Sequence, residues 1–216
     1  MNLNLDRSVA LAINTADMSW EESPSKGVYR KKLEREGAES GLTTSVVKYE
    51  KETGFSAHSH PGGEEIFVLE GVFEDEDGKF PKGTYFRNPP GSSHSPKSPE
   101  GCKLFVKLNQ FQTGDSEFVK IETAKQEWLP GLVDGLSVMP LHSFGTEHTA
   151  LVRWQPGTHF QPHVHAGGEE IFVLDGIFED EHGTYPKGTW LRSPNYSKHN
   201  PFSKQGCIIL VKTGYM

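Results

Sequence analysis

His58-Ser59-His60-Pro61-Gly62-Gly63-Glu64-Glu65-Ile66-Phe67-Val68-Leu69 is answered later in the chain by His163-Val164-His165-Ala166-Gly167-Gly168-Glu169-Glu170-Ile171-Phe172-Val173-Leu174. The shift is 105 residues (163 − 58), and the same shift carries His94 onto His199 (199 − 94). Four potential metal ligands with one internal spacing, His58, His60, Glu64 and His94, therefore recur as His163, His165, Glu169 and His199. Chance does not produce such a doubled set. The reading is a tandem metal protein.

The repeat runs well beyond the ligands, and self-similarity of this kind governs everything else. From Phe55–Lys107 to Phe160–Lys212, about 31 of about 53 positions are identical without a gap. Upstream, Ile13-Asn14-Thr15-Ala16 ending at Trp20 matches Ile121-Glu122-Thr123-Ala124 ending at Trp128. Gly27 and Leu33 match Gly135 and Leu141, and the first copy carries about three extra residues near Ser40–Leu42. Each copy is the size of one small domain. The expected division is 1–112 and 113–216, with the junction around Asn109–Phe118. Two fused copies can reproduce a symmetric dimer in one chain, so a monomeric pseudo-dimer or a homodimer is expected.

Composition narrows the partners. The 216-residue chain has a net charge of −7 and a pI of about 5.8, which gives no electrostatic footprint for nucleic acid. No apolar run approaches a membrane span, and Met1 to Asp17 does not read as a signal peptide. One cysteine per copy, Cys102 and Cys207, excludes a disulfide framework within a domain. A cytoplasmic setting is expected.

The local pattern is β throughout. Ser45–Tyr49, Ile66–Leu69 and Leu104–Leu108 are short apolar runs bounded by Gly, Pro, Asn and Asp. Asp77-Gly78 and His182-Gly183 mark hairpin turns, while Lys31–Glu39 is the one stretch that allows a turn or two of helix. Two packed sheets or a small barrel per copy suits so many short strands. Residues two apart share a strand face, so His58 and His60 point together. Pro61-Gly62-Gly63 then turns the chain and Glu64 opens the next strand nearby. Imidazoles with a carboxylate suit divalent Zn, Fe, Mn or Ni.

These segments resemble a known family. His58-Ser-His60-Pro-Gly-Gly-Glu64 followed by Gly71 is similar to the first cupin motif, and Gly83 through Pro89 and Gly91 to His94 is similar to the second. Gly-Glu-Glu-Ile-Phe-Val-Leu-Glu-Gly, the Phe-Glu-Asp-Glu hairpin and Gly-Ser-Ser-His resemble the ChrR-like cupins, named for the zinc-binding C-terminal domain of an anti-sigma factor that answers singlet oxygen. The same group includes acetylacetone-cleaving iron dioxygenases. The resemblance covers nearly the whole chain twice. It implies an all-β fold of two tandem cupin barrels (double-stranded β-helix, or jelly roll), a pseudo-twofold bicupin. It also places His58, His60, Glu64, His94, His163, His165, Glu169 and His199 at the family's ligand positions, one divalent metal per domain, with Zn as the first expectation and Fe(II) the main alternative.

The departures carry information too. Copy one has Glu52 where copy two has Gly157, and copy two has Tyr196 and Lys198 where copy one has Gly91 and Ser93. Tyr196 and Lys198 are expected to narrow or charge the mouth of the second site, which makes copy one the more accessible. The helical N-terminal domain with which the anti-sigma factor holds its sigma factor has no counterpart, so inhibition by that means is not expected.

Other residues take plainer readings. Glu65 and Glu170 face away from the ligand Glu and are expected to be structural or to orient metal-bound His. Arg87 and Arg192 are expected to pair with carboxylates, and Cys102 and Cys207 to be buried small hydrophobes. The acidic runs Glu74–Asp77 and Glu179–Glu181 read as solvated hairpin tips. His142, His148, His159 and His182 lack histidine counterparts and read as surface residues.

Three functions follow. The main reading is a regulatory or sensory module, zinc enclosed by four side chains, with a protein partner or a small-molecule ligand in the barrel. The alternative is an Fe(II) dioxygenase cleaving a small diketone-like substrate, since four protein ligands on an octahedral ion leave about two positions open. The third is a non-catalytic small-molecule-binding cupin. No catalytic residue beyond the metal set is assigned.

Overall fold

A computed structural model describes residues 2–216. The architecture is all-β, with two ten-stranded sheets, two two-stranded ribbons and two single 3₁₀ turns. No helix of the described residues is long and apolar enough to cross a membrane. Lys31–Glu39 forms no helix: its first part belongs to strand Val28–Arg35, followed by turns. The reason is a strand partner, Thr43–Tyr49, that takes up its backbone groups from Val28 to Arg35.

Each unit is built on one scheme. In the first, strand order is Val119–Glu122, Thr84–Asn88, Glu64–Asp75, Cys102–Leu108, Thr43–Tyr49, Val28–Arg35, Glu21–Glu22. In the second it is Leu11–Asn14, Thr189–Ser193, Glu169–Asp180, Cys207–Thr213, Glu147–Trp154, Leu136–Phe144, Leu129–Pro130. All pairings are antiparallel, which fits the alternation of inward apolar and outward polar residues. Ile66, Val68, Phe73, Phe86, Leu104 and Val106 build the first core; Ile171, Val173, Phe178, Leu191 and Ile209 build the second.

The long central strand of each unit bends at a bulge, between Val68 and Glu70 in one and Val173 and Asp175 in the other. Beyond the bulge, Gly71 and Gly176 adopt φ of 72° and 69°, and a Cβ on either would come within about 2.2 Å of a neighbouring carbonyl oxygen. Only glycine fits there. The bend lets one strand serve the sheet with its first half and a hairpin, Gly78–Pro81 or Gly183–Pro186, with its second.

Compactness divides the chain differently from the sequence repeat at the sheet edges. The first unit consists of the segment ending at Leu5 with Met18–Gln126, and the second of Asp6–Asp17 with Glu127–Met216. The edge strands are therefore exchanged. Leu11–Asn14, which opens the first repeat, pairs with Thr189–Ser193, whereas its counterpart Val119–Glu122 pairs with Thr84–Asn88. Thr15 and Thr123 close these edges in the same way, each donating its hydroxyl to a glycine carbonyl, Gly188 at 2.8 Å and Gly83 at 2.7 Å.

Candidate metal centres

A three-residue strand, His58–His60, pairs antiparallel with Ser92–His94, which sets His58 opposite His94. His60 shares a face with His58, and the turn through Gly62 and Gly63, closed by Gly63 N–H donating to the His60 carbonyl at 3.1 Å, returns the chain into Glu64. The ligand atoms of the three histidines lie within 4.8 Å of one another. Glu64 Oε2 stands 3.4 Å from both His60 Nε2 and His94 Nε2. The second unit repeats the arrangement. His163 faces His199, the three imidazoles are again within 4.8 Å, and His165 Nε2 and His199 Nε2 approach to 3.1 Å. Glu169 lies 3.3 Å from His165 and 3.6 Å from His199.

The outward nitrogens fix which atom is free. His58 Nδ1 donates to the Ser56 carbonyl at 2.8 Å and His163 Nδ1 to the Gln161 carbonyl at 2.9 Å. His94 Nδ1 meets Asp75 Oδ2 at 3.2 Å, and His199 Nδ1 meets Asp180 Oδ2 at 3.6 Å. With Nδ1 protonated, the Nε2 lone pairs of His58, His94, His163 and His199 are left for the cluster. His60 Nε2, His94 Nε2 and Glu169 Oε2 are buried with no hydrogen-bond partner among the described residues. Buried acceptors left in that state are costly.

Electrostatics describe the same strain. Burial, with His94 and His58 alongside, pushes His60 down to about 3, and burial with its neighbouring imidazoles pushes His165 down to about 4. Burial raises Glu64 and raises Glu169 to about 7. His94 and His199 go the other way: burial lowers them, but the Asp75 or Asp180 hydrogen bond and the adjacent carboxylates outweigh it. Three imidazoles and a carboxyl group gathered around one point, several of their inward atoms without a hydrogen-bond partner among the described residues, suit a divalent cation of borderline softness. Each unit thus has a histidine cluster able to coordinate a divalent metal.

The two centres differ in their surroundings. Asn88 Nδ2 donates to Glu64 Oε2 at 3.1 Å, and Ser193 stands at the matching place in the second unit. The first cluster opens on a cavity of about 400 Å³ that also touches Arg30, Arg35, Ser45 and Tyr49. The second opens on about 200 Å³, walled by Val138, Val152, Trp154 and Ile209. Neither Tyr196 nor Lys198 lines that second cavity, and Tyr196 is 71% exposed, so the expected narrowing by these two residues is corrected.

Further residues settle in the fold. Glu65 points away from the cluster and accepts from Arg87 Nη1 at 3.2 Å, while Arg87 also pairs with Asp115 and lies over the Phe111 ring. Arg192 donates to the Asp6 carbonyl at 2.7 Å. Cys102 and Cys207 are buried. The acidic hairpins are not simply solvated tips: Asp75 and Asp180 turn inward onto metal-site histidines, and Glu76 and Glu181 accept the backbone N–H of Ser95 and Asn200. Their repetition at the ligands' own spacing was the signal for this role. His142 is buried rather than on the surface, because it occupies the buried position held in copy one by Glu34. His148, His159 and His182 are exposed.

A family model described as the ChrR Cupin-like domain matches residues 8–112 and again 116–216. The chain belongs to the ChrR cupin-like family. No curated protein matches. Among solved structures, this ChrR-like chain is similar to a candidate dioxygenase from Nostoc punctiforme, with a TM-score of 0.80 and 16% identity over 97% of this chain and 83% of that one. It is similar also to a candidate glyoxylate-induced protein from Pseudomonas aeruginosa, with a TM-score of 0.75, 13% identity and coverage of 97% and 92%. A deletion variant of Bacillus subtilis oxalate decarboxylase aligns with a TM-score of 0.65 and 14% identity over 94% of this chain and 76% of that one. At these identities the likeness is one of fold.

Proposed function

We propose that the chain is a metal-dependent cupin oxygenase, with two barrels that each hold one divalent cation through three histidines and a glutamate. His58, His60, Glu64 and His94 would form the working centre, and His163, His165, Glu169 and His199 the second. The observation that carries this reading is the 400 Å³ cavity against the first cluster, room that a substrate needs and an enclosed structural ion does not. When bound, the cation supplies Lewis-acid and dioxygen chemistry. The protein's own contribution is positional. Asp75 holds the His94 tautomer, Asn88 fixes Glu64, and the Ile66, Leu104 and Val106 wall keeps water from the reacting face. The candidate dioxygenase and the oxalate decarboxylase among the similar folds support an enzyme over a regulator.

The regulatory reading loses its simplest sensor. Burial pushes Cys102 up to about 11 and Cys207 up to about 12, which keeps both thiols protonated and unreactive. The decisive experiment is oxygen uptake by protein reconstituted anaerobically with Fe(II) and offered small 1,3-diketones and β-keto acids. Substrate-dependent consumption is expected. A chain purified without a tag that carries about two zinc ions and consumes no oxygen with any of them would sink the oxygenase reading.

A further inference from the structure

The first cavity contains two arginines that the fold does not require. Arg30 and Arg35 lie on strand Val28–Arg35, opposite Val47 and Thr43 of the neighbouring strand, whose inward residues line the same cavity as His58, His60 and Glu64. In the second unit the matching positions are Val138 and Ser143, and the strand pairs and bulges in the same way. A side chain that one copy dispenses with is not there to hold the strand. Ser45 and Tyr49 of the first cavity likewise answer to Ala150 and Trp154, so polarity has been concentrated in one copy.

Glu39 meets both arginines. Its Oε2 stands 2.8 Å from Arg30 Nη1 and 3.4 Å from Arg35 Nη2, while Arg35 Nη1 also reaches the Thr43 hydroxyl at 3.4 Å. Two guanidiniums thus share a single carboxylate. Glu21 of the edge strand is engaged by Lys32 at 2.8 Å. The arginines are largely shielded, with side chains 14% and 6% exposed, but Glu39 is 54% exposed. It sits on the turn between Arg35 and Thr43, beside the residues that the second copy lacks, and this turn is pinned by Asn109, whose amide donates to the Gly41 carbonyl at 3.0 Å. Arg30 also lies 5.9 Å from the Phe55 ring, which packs edge-on against His58 at 5.8 Å. The cationic end of the cavity and the metal cluster are therefore one ring apart.

An exposed ion pair contributes little to stability, yet a carboxylate held by two partly buried arginines is the recognition geometry for an organic acid. We infer that the first cavity takes a small carboxylic acid, whose carboxylate replaces Glu39 on Arg30 and Arg35 while the rest of the molecule extends toward the histidine cluster. The inference rests on the oxygenase reading for the use of this site, and it names the substrate class. Glu39 is then a placeholder that neutralises the arginines until the acid enters.

The test is calorimetric binding of isobutyrate and of isobutyramide to the full chain loaded with redox-silent zinc. Isobutyrate is expected to bind about tenfold or more tightly than the amide, in keeping with a hydrogen-bonded charge pair. Arg30→Gln should remove that preference. Glu39→Gln, which takes away the competing carboxylate at an exposed position, should tighten isobutyrate several-fold and leave the amide unchanged. Equal binding of acid and amide, or an isobutyrate affinity indifferent to Glu39→Gln, would overturn the inference; the second result would place the carboxylate on the zinc. Because no turnover is involved, failure here leaves the oxygen-uptake experiment standing, and failure of oxygen uptake leaves this one standing.

Discussion

The two cavities share a strand order, a bulge, a histidine cluster and most of their sequence, yet one is twice the volume of the other and carries two arginines where the other carries Val138 and Ser143. What duplication kept identical is the strand framework and the histidine clusters able to coordinate a divalent metal. What it allowed to change is the wall opposite the cluster, on strands Val28–Arg35 and Leu136–Phe144. A copy that is only structural needs a tight apolar wall, and a copy that meets a ligand needs volume and polarity. This asymmetry is the ground for proposing the first unit as the working centre.

The largest effect should come from removing one cluster histidine at a time. His94→Ala and His199→Ala should each lose one bound metal of two by elemental analysis. Only His94→Ala should lower turnover by more than about 100-fold, beyond what loss of an outer partner costs. Equal loss of activity from both would erase the distinction between the units.

Next are the outer carboxylates. Asp75→Asn should weaken metal binding in the first unit by about 10–100-fold, measured by chelator competition. Asp180→Asn should also cost stability. Asp180 Oδ1 accepts from the backbone of His182 and Gly183 and from the Tyr185 hydroxyl, whereas the Asp75 carboxylate takes only the Asp77 N–H besides His94. If urea denaturation shows the two variants equally stable, the hairpin contrast is wrong.

The buried thiols should respond alike. Burial holds the folded Cys102 near 11 and Cys207 near 12, above the ordinary 9.0, so the folded chain keeps protons that the unfolded chain releases. Their contribution is complete below pH 9.0 and is lost as pH rises toward the folded values. The urea midpoint should fall over that window, with no thiolate absorbance from the native state at pH 9. Native thiolate there, from either cysteine, would contradict equal burial.

The smallest effect is backbone strain, which the copies distribute in opposite ways. Tyr196 sits at φ 60° where Gly91 has 87°, and Glu52 at 59° where Gly157 has 80°. A side chain in this region costs about 1–2 kcal/mol and glycine avoids it, at some entropic loss. Tyr196→Gly and Glu52→Gly should each raise stability by up to about 1 kcal/mol in denaturant titration. A loss of stability at either would show that its side chain makes a contact worth more than the strain.

The sequence made some of this plain and hid the rest for physical reasons. The recurrence of His58, His60, Glu64 and His94 was legible because both copies display the set, and the structure brings the three histidines of each copy together. Asp75 and Asp180 were overlooked because a charged hairpin tip looks the same whether it faces water or an imidazole. The exchange of Leu11–Asn14 with Val119–Glu122 was not legible: two near-identical sheets offer the same edge, and sequence alone does not choose between them. Arg30 and Arg35 gave no signal of their own, since a Lys- and Arg-rich strand facing solvent has the same pattern. His142 was misplaced because only histidines were compared, while its counterpart Glu34 is a buried acid.

The most direct measurement is the coordination shell of the first centre in crystals of the Fe(II)-loaded chain, located by anomalous scattering. The account predicts a cation held by His58, His60, His94 and Glu64, with one or two water molecules completing the shell on the side of the 400 Å³ cavity. A shell closed by the four side chains alone, with no exchangeable ligand facing that cavity, would contradict it.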